Sequence, residues 1–355
     1  MGRRVTQRDI ARMTGVSQAT VSLVLNDSDG SNSKGVRIAQ DTRQRVLDAI
    51  RATGYVADVV GRRLADRSNR ILGVFTYEPV FPSATADFYH PFLVGIEQRA
   101  EQLGCDLLLF TSGPHRMRLA DGCIVLGRSI GRDELARLVA EHHPFVSVGR
   151  RDSPDVPYVG ADYGAATAAL VGAAVGLGHR RLAYVGTGGP AESHLDRLRG
   201  FADACLAAGV YATHAQRQHT QSQKALADAV PRLLADGVTA LFLEEPADAA
   251  ELIAILRGHG RDVPGDVSVV VLGEPTRAGA TPPPLDVTRF RTPRREMGWQ
   301  AVDHLTEIVG GGFEPGPARQ TLLACELVAG ETLGTAPNST SLNSSSSNIT
   351  SKERT

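Results

Sequence analysis

Val5-Thr-Gln-Arg-Asp-Ile-Ala-Arg-Met-Thr-Gly-Val-Ser-Gln-Ala-Thr-Val-Ser-Leu-Val-Leu-Asn26 is the stretch from which the rest of the chain is read. Thr6 and Asp9 have capping-box spacing. Thr6 can accept from the backbone N–H near Asp9, and Asp9 favours the positive helix end. Ile10, Ala11 and Met13 follow at helical spacing, and Gly15 stops the helix. Ser17 can cap a second helix whose Val21, Val24 and Leu25 form an apolar stripe. Two short helices joined across Thr14-Gly15-Val16 make a helix-turn-helix pattern. A generic helical hairpin shares these features, so spacing alone leaves both readings open.

Downstream, Asp41 to Ala52 reads as a third helix with Val46, Leu47 and Ile50 on its buried face and Gly54 at its end. Between them, Asp27-Ser-Asp-Gly-Ser-Asn-Ser-Lys-Gly35 is a polar loop by composition. Charge separates this head from the body of the chain. Residues 1–70 hold 13 Lys and Arg against 7 Asp and Glu, whereas the remainder holds 25 against 32. A basic head on an acidic body is the footprint of a chain whose head meets a polyanion. A solvated basic face is the bland alternative on charge alone.

Val5–Asn26, continued by Asp41-Thr-Arg-Gln-Arg-Val-Leu-Asp-Ala-Ile-Arg-Ala-Thr-Gly-Tyr55, resembles the headpiece of the LacI–GalR family of bacterial transcription regulators. The similarity runs from about Val5 to Glu331. It implies operator DNA as partner, with the helix from Ser17 in the major groove and Gln18, Ala19 and Leu23 at base-reading positions. Gln18 can hydrogen-bond a base edge, whereas Ala19 and Leu23 offer only apolar contact, for example to a thymine methyl. Many members carry Arg at the Leu23 position, so a strong guanine contact is missing here. Thr6, Ser17 and Asn26 join the implied DNA face. Thr20 and Ser22 can bind phosphate, cap locally, face the core or stay solvated. The loop at 27–35 is longer than usual, and Ala39 replaces the usual Ser cap of the third helix.

The resemblance further implies that residues 55–70 form a hinge that becomes helical on operator DNA. Leu64 falls at the position of a leucine wedge that unstacks a minor-groove step. Arg62 and Arg63 would then lie near phosphates. An ordinary linker helix with a packed leucine is the alternative. Gly61 lowers helix propensity there by ~1 kcal/mol relative to Ala.

From Ile71 onward the pattern alternates. Ile71–Thr76, Asp106–Thr111, Cys123–Leu126, Phe145–Val148, Arg181–Gly186, Ala240–Leu243 and Val267–Leu272 read as buried parallel strands. Helices are expected at 91–103, 132–142, 165–177, 197–208, 224–236 and 248–257. Two βαβ sets imply an α/β body of two doubly wound lobes, with ligands outside the carboxyl ends of the strands. This matches the family's body, which resembles periplasmic sugar-binding proteins with an effector between the lobes. The expected partition is a helix-turn-helix headpiece at 1–54, a hinge at 55–70, a two-lobed effector-binding and dimerisation body at 71–335 and a disordered tail at 336–355. One departure stands out. Thr111 to Gly122 is only 12 residues where relatives place a whole crossover helix, room for about one helical turn. A missing helix would uncover one face of the first sheet.

By match to the family, Tyr89, His90, Arg197 and Glu245 are the effector-site candidates. Arg197 has a planar fork suited to hydroxyl, carboxylate or phosphate. A structural salt bridge is the alternative for Arg197, and ordinary packing or solvation for the others. Gly149 and Gly273 fall where some sugar-binding relatives have acids. No tryptophan occupies the stacking position near Thr220 and Gln221, and Trp299 is expected in the core.

No run of 18 apolar residues appears, and the charged start lacks an apolar secretory segment, so a cytoplasmic protein with no membrane role is expected. Cys105, Cys123, Cys205 and Cys325 lie far apart in apolar segments and read as buried free thiols in a reducing cytosol. No metal or cofactor is expected. Gly186-Thr-Gly-Gly189 after a strand lacks the Gly-Lys-Ser/Thr of a phosphate loop, and no triad is apparent, so an enzyme is not expected. The leading expectation is a homodimeric, effector-controlled DNA-binding regulator, a repressor, whose small-molecule effector is a sugar or sugar derivative. A solute-binding protein of a transport system is the alternative on the body fold alone.

Overall fold

The computed structural model describes residues 5–26, 38–55, 70–76, 86–110, 114–127, 137–141, 143–186, 189, 191–216, 222–274, 282–311 and 318–337. The polar loop, the hinge with Gly61, Arg62, Arg63 and Leu64, the positions Thr220 and Gln221, and all but two residues of the tail lie outside them. The chain divides into two compact units, residues 1–69 and 70–355.

In the first unit, α1 (Gln7–Thr14), α2 (Gln18–Asn26) and α3 (Gln40–Thr53) surround Ile10, Ala11, Val21, Val24, Val46 and Tyr55. The capping box is present: Thr6 Oγ1 accepts from Asp9 N at 3.3 Å, and Thr6 N donates to Asp9 Oδ2 at 3.0 Å. Gly15 ends α1 at φ 68°, a left-handed turn that glycine adopts without steric cost. Met13, which follows Ile10 and Ala11 at helical spacing, is 61% exposed. The buried face is completed instead by Thr14, whose hydroxyl donates back to Ile10 O at 2.8 Å. Ala39, as expected, supplies no side-chain cap to α3.

The second unit holds two six-stranded sheets. Their strands are β1 (Ile71–Thr76), β2 (Asp106–Phe110), β3 (Gly122–Leu126), β4 (Phe145–Val148), β5 (Tyr158–Ala161), β6 (Arg181–Gly186), β7 (Tyr211–Gln216), β8 (Ala240–Leu243), β9 (Ser268–Val271), β10 (Thr288–Arg291), β11 (Gln320–Leu323) and β12 (Glu326–Val328). The first lobe has the order β2-β1-β3-β4-β5-β11, all parallel. The second has β7-β6-β8-β9-β10-β12, with only β12 antiparallel. Among the described residues the helices are α4 (Ala86–Gln102), α5 (Tyr163–Gly176), α6 (Glu192–Ala207), α7 (Ser222–Ala235), α8 (Ala249–Gly258) and α9 (Arg294–Gly311), and 137–140, inside the expected 132–142 helix, are helical too. Strand alternation splits each lobe's core into two layers. Leu72, Val74, Ile124 and Val146 pack on α4 and α9, while Ile71, Phe75, Cys123 and Phe145 face the other way. In the second lobe Val185, Leu241 and Val269 pack on α7 and α8, and Tyr184, Phe242 and Val270 on α5 and α6. The chain passes from the first lobe to the second after β5, returns after β10, and crosses again between β11 and β12.

The short 111–122 connection contains a 3₁₀ helix, Pro114–Leu119, and no α-helix among its described residues. The sheet face above it is nevertheless filled. Met117, Ala120 and Leu138 close over Phe75, Phe110, Cys123 and Val125, all buried. A single inserted methionine does locally what a longer helix would do with a stripe. The exposed leucines of β2, Leu107 and Leu109, point to the opposite face.

Candidate DNA-reading face and interlobe cleft

On α2, Val21 and Val24 turn into the headpiece core, which fixes the outer face. Gln18 and Ala19 are exposed, and Ser22 and Leu23, one turn on, are half-buried beside them. The Gln18 amide is held only by long contacts. It donates to Gln7 Oε1 and accepts from Arg8 Nε, both at 3.4 Å, so it is readily redirected to a base edge. The sequence pattern does not single out Arg8, which stands beside it. Ser17 and Thr20 are committed locally. Ser17 Oγ accepts from Thr20 N at 3.1 Å and lies 2.9 Å from Thr20 Oγ1. Asn26 is the last residue of α2.

In the body, a cavity opens at the carboxyl ends of β3 and β4, between the lobes. Phe88, Tyr89, Phe92, Leu126, Gly127 and Val148 to Arg151 line it from the first lobe, with Met297 of α9. Tyr163 and the first turns of α6, Ala191, Glu192, Ser193 and Asp196, line it from the second. Tyr89 is among the expected residues that reach it. Its ring is buried and meets Phe88 edge-on at 5.0 Å. His90 is exposed and is not part of the lining. Arg197 stands directly behind the lining. Its guanidinium lies 3.9 Å from the centre of the Tyr163 ring, while Nε donates to Leu272 O at 3.0 Å and Nη1 to Ser193 O at 2.8 Å. None of these contacts is a salt bridge, the alternative role for this residue. Glu245, half-buried, accepts from Ala247 N at 3.3 Å and caps the 3₁₀ helix Pro246–Asp248. Gly149 and Gly273 have φ of 106° and 147°, a region that disfavours the acids some relatives carry there. Trp299 is half-buried rather than in the core, with Arg99 over its ring at 5.2 Å.

The charges that dominate the cavity are ones the sequence reading misses. Arg150 Nε and Nη2 donate to the two carboxylate oxygens of Asp196, both at 2.7 Å, with the side chains 17% and 16% exposed. Arg151 is 4% exposed by side chain. It donates to Ser147 Oγ at 2.9 Å and Gly127 O at 2.7 Å, and its Nη1 lies 3.4 Å from Glu192 Oε2. Burial pulls the Arg151 pKa down, and Glu192 opposes that. Arg150 is held protonated more firmly than usual by its bonds to Asp196. The available signal is Gly149-Arg-Arg-Asp152 directly after a buried strand, where parallel sheets place their sites. Elsewhere on α6, His194 Nδ1 contacts Glu244 Oε1, a buried carboxylate directly after β8.

A helix-turn-helix with a solvent-facing second helix, on a chain whose other unit is a two-lobed α/β body with a polar interlobe cavity, defines a DNA-binding regulator with a sensor domain. Comparisons agree. Residues 6–58 match the family described as bacterial regulatory proteins, lacI family, and residues 171–333 match a periplasmic binding protein-like domain. The HTH-type transcriptional regulator MalR of Streptomyces coelicolor is 30% identical over 93% of this chain and 96% of its own. The HTH-type transcriptional regulator CelR of Thermobifida fusca is 28% identical over 88% and 94%. Among solved structures, a lac repressor dimer bound to operator and an anti-inducer superposes with a TM-score of 0.71 at 22% identity, over 94% of this chain and all of that one. A complex of the regulator CelR with cellobiose superposes at 0.58 with 26% identity, over 93% and all of that chain. The chain belongs to the lacI family of bacterial regulatory proteins and is a DNA-binding transcription regulator.

Proposed function

We propose that the protein is a cytoplasmic, non-enzymatic repressor that binds a near-palindromic operator as a homodimer under the control of a sugar or sugar derivative. The observation that carries this is the outer face of α2, exposed at Gln18 and Ala19 and half-buried at Ser22 and Leu23, on a helix whose inner face and cap are engaged. Gln18 reads a base edge, Ala19 and Leu23 make apolar contacts, and Leu64 serves as the minor-groove wedge. Thr6, Ser17, Thr20, Ser22 and Asn26 flank that face, the first two and Thr20 as caps that orient α1 and α2. The headpiece at 1–54, hinge at 55–70, body at 71–335 and tail at 336–355 are the working partition. For the effector, aromatic rings at Phe88, Tyr89 and Tyr163 beside arginines and carboxylates suit a polyhydroxylated ligand. Tyr89 is the proposed contact among the lining residues, Arg197 acts from directly behind them, and neither Glu245 nor His90 is part of the cavity lining. A salt-dependent gel shift on the operator region tests the reading. Specific retardation weakening steeply from 50 to 200 mM salt is expected, and only weak, sequence-blind binding would overturn it.

A further inference from the structure

The two ion pairs in the cleft run in the same direction. Arg150 and Arg151 follow β4 in the first lobe, while Asp196 and Glu192 stand one turn apart on α6 in the second. The backbone joins in, since Asp152 N lies 3.4 Å from Glu192 Oε1. Every one of these contacts crosses the cleft. The Arg150–Asp196 fork is the stronger, being bidentate and shielded from solvent. Arg150, Asp196, Arg151 and Glu192 all line the cavity assigned to the effector.

We propose that the Arg150–Asp196 pair, supported by Arg151–Glu192, is a built-in latch that ties the lobes together and that must part before the cleft opens. Asp196 thereby occupies on Arg150 the acceptor place that a polar ligand would need, so the latch opposes ligand entry as well as lobe opening; this second half rests on the effector-cleft reading. Among the described residues, Asp152 is the second carboxylate beside Arg150, its Oδ1 3.7 Å from Nη1 and its side chain 59% exposed, and Tyr158 is the other titratable group near it. Asp152 sits on the same loop as Arg150, so it can take up the freed guanidinium without holding the lobes.

Hydrogen exchange on the full chain tests this without any ligand. In Asp196→Asn, and separately in Arg150→Gln, segments 148–153 and 191–197 should exchange about tenfold faster or more, the change that a coupling of ~1.4 kcal/mol brings. The buried strand 240–243 should not change. The charge swap Arg150→Asp with Asp196→Arg should bring both segments back toward the wild-type rate. Arg150→Lys keeps the charge but loses the bidentate fork, so it should speed the same two segments by less than Arg150→Gln and leave 240–243 unaltered, which tests the latch even where a charge-removing variant folds poorly. Unchanged exchange in the single variants, or a charge swap that restores neither segment, would overturn the latch. Operator binding is scored separately by gel shift, so a latch that behaves as proposed on a chain that binds no specific DNA would remove the regulator reading alone.

Discussion

His179 has no exposure to solvent, and both of its ring nitrogens are used. Nδ1 lies 2.9 Å from Thr239 Oγ1, and Nε2 lies 3.0 Å from Gly334 O and 3.2 Å from Ser268 Oγ. It therefore pins the end of the body, near Gly334, onto the second sheet. A neutral ring with Nε2–H directed at the Gly334 carbonyl satisfies this set, leaving Nδ1 to accept from Thr239. Burial holds its pKa below the ordinary 6.5, and the same cause lowers His143 and His304. An unfolded chain then binds protons more readily than the fold. Their contribution is complete above the ordinary histidine range and is lost as pH falls through it toward the lowered folded values. Urea unfolding should show a lower midpoint at pH 5.5 than at pH 8. His179→Ala should cost about 1–3 kcal/mol at pH 8 by stranding Thr239, Ser268 and Gly334, and should flatten part of that acid slope. At the reading face, Gln18→Ala should cost ~1–3 kcal/mol of operator affinity and relax preference at one base pair, as measured by selection from randomised operators. A base preference unchanged at every position would remove Gln18 from the reading set.

Two elements depend on single residues. Gly15 supplies the left-handed turn between α1 and α2, so Gly15→Ala is expected to lower headpiece stability by about 1–2 kcal/mol, visible in thermal melting of the headpiece. In the first lobe, Met117 is 1% exposed and stands in for the missing helix. Met117→Ala should cost about 2–5 kcal/mol, with faster hydrogen exchange in β1 and β2 than in β6 and β9. Equal protection in all four strands would show that the 3₁₀ connection carries little of that core. Elements of this kind are unevenly legible in the sequence. The strands β1, β3, β4, β6, β8 and β9 are apolar runs whose ends are legible to within about a residue, whereas β5, Tyr158–Ala161, is buried inside its sheet yet absent from the expected strands. β7 and β10 escape a reading by apolar runs. Tyr-Ala-Thr-His-Ala-Gln216 is polar because it forms a sheet edge, and Thr-Arg-Phe-Arg291 is short and alternating. The stripe Met297, Ala301, Val302, Leu305 of α9 carries a helical period, yet α9 is absent from the expected helices. The cleft is harder still. Arg150 and Asp196 are 46 positions apart, and nothing in either neighbourhood selects the other as partner. The family match supplies Arg197 and Tyr89, but chain position cannot tell that His90, next to buried Tyr89, turns to solvent.

At the scale of the molecule, one headpiece offers few base contacts if, as proposed, Gln18 is the main polar reader on α2. Two copies on a two-fold site would double them. Sedimentation at micromolar concentration should give a dimer, and isolated half-sites should bind far more weakly than the full site. Monomer alone, with half-sites as tight as full sites, would contradict the proposed assembly. The interlaced path of the body has a consequence for its birth on the ribosome. The apolar layer formed by Leu72, Val74, Ile124 and Val146 is covered by α9, and β11 completes the sheet beyond β5. Those pieces are translated only after the whole of β6 to β10. At about 5–20 residues per second, the first lobe waits on the order of ten to thirty seconds with this face of its half-built sheet covered by α4 alone. The second lobe meanwhile has all but β12 in hand. The nascent chain should therefore fold against its order of synthesis, later lobe first, and the early lobe should be the one that chaperones hold.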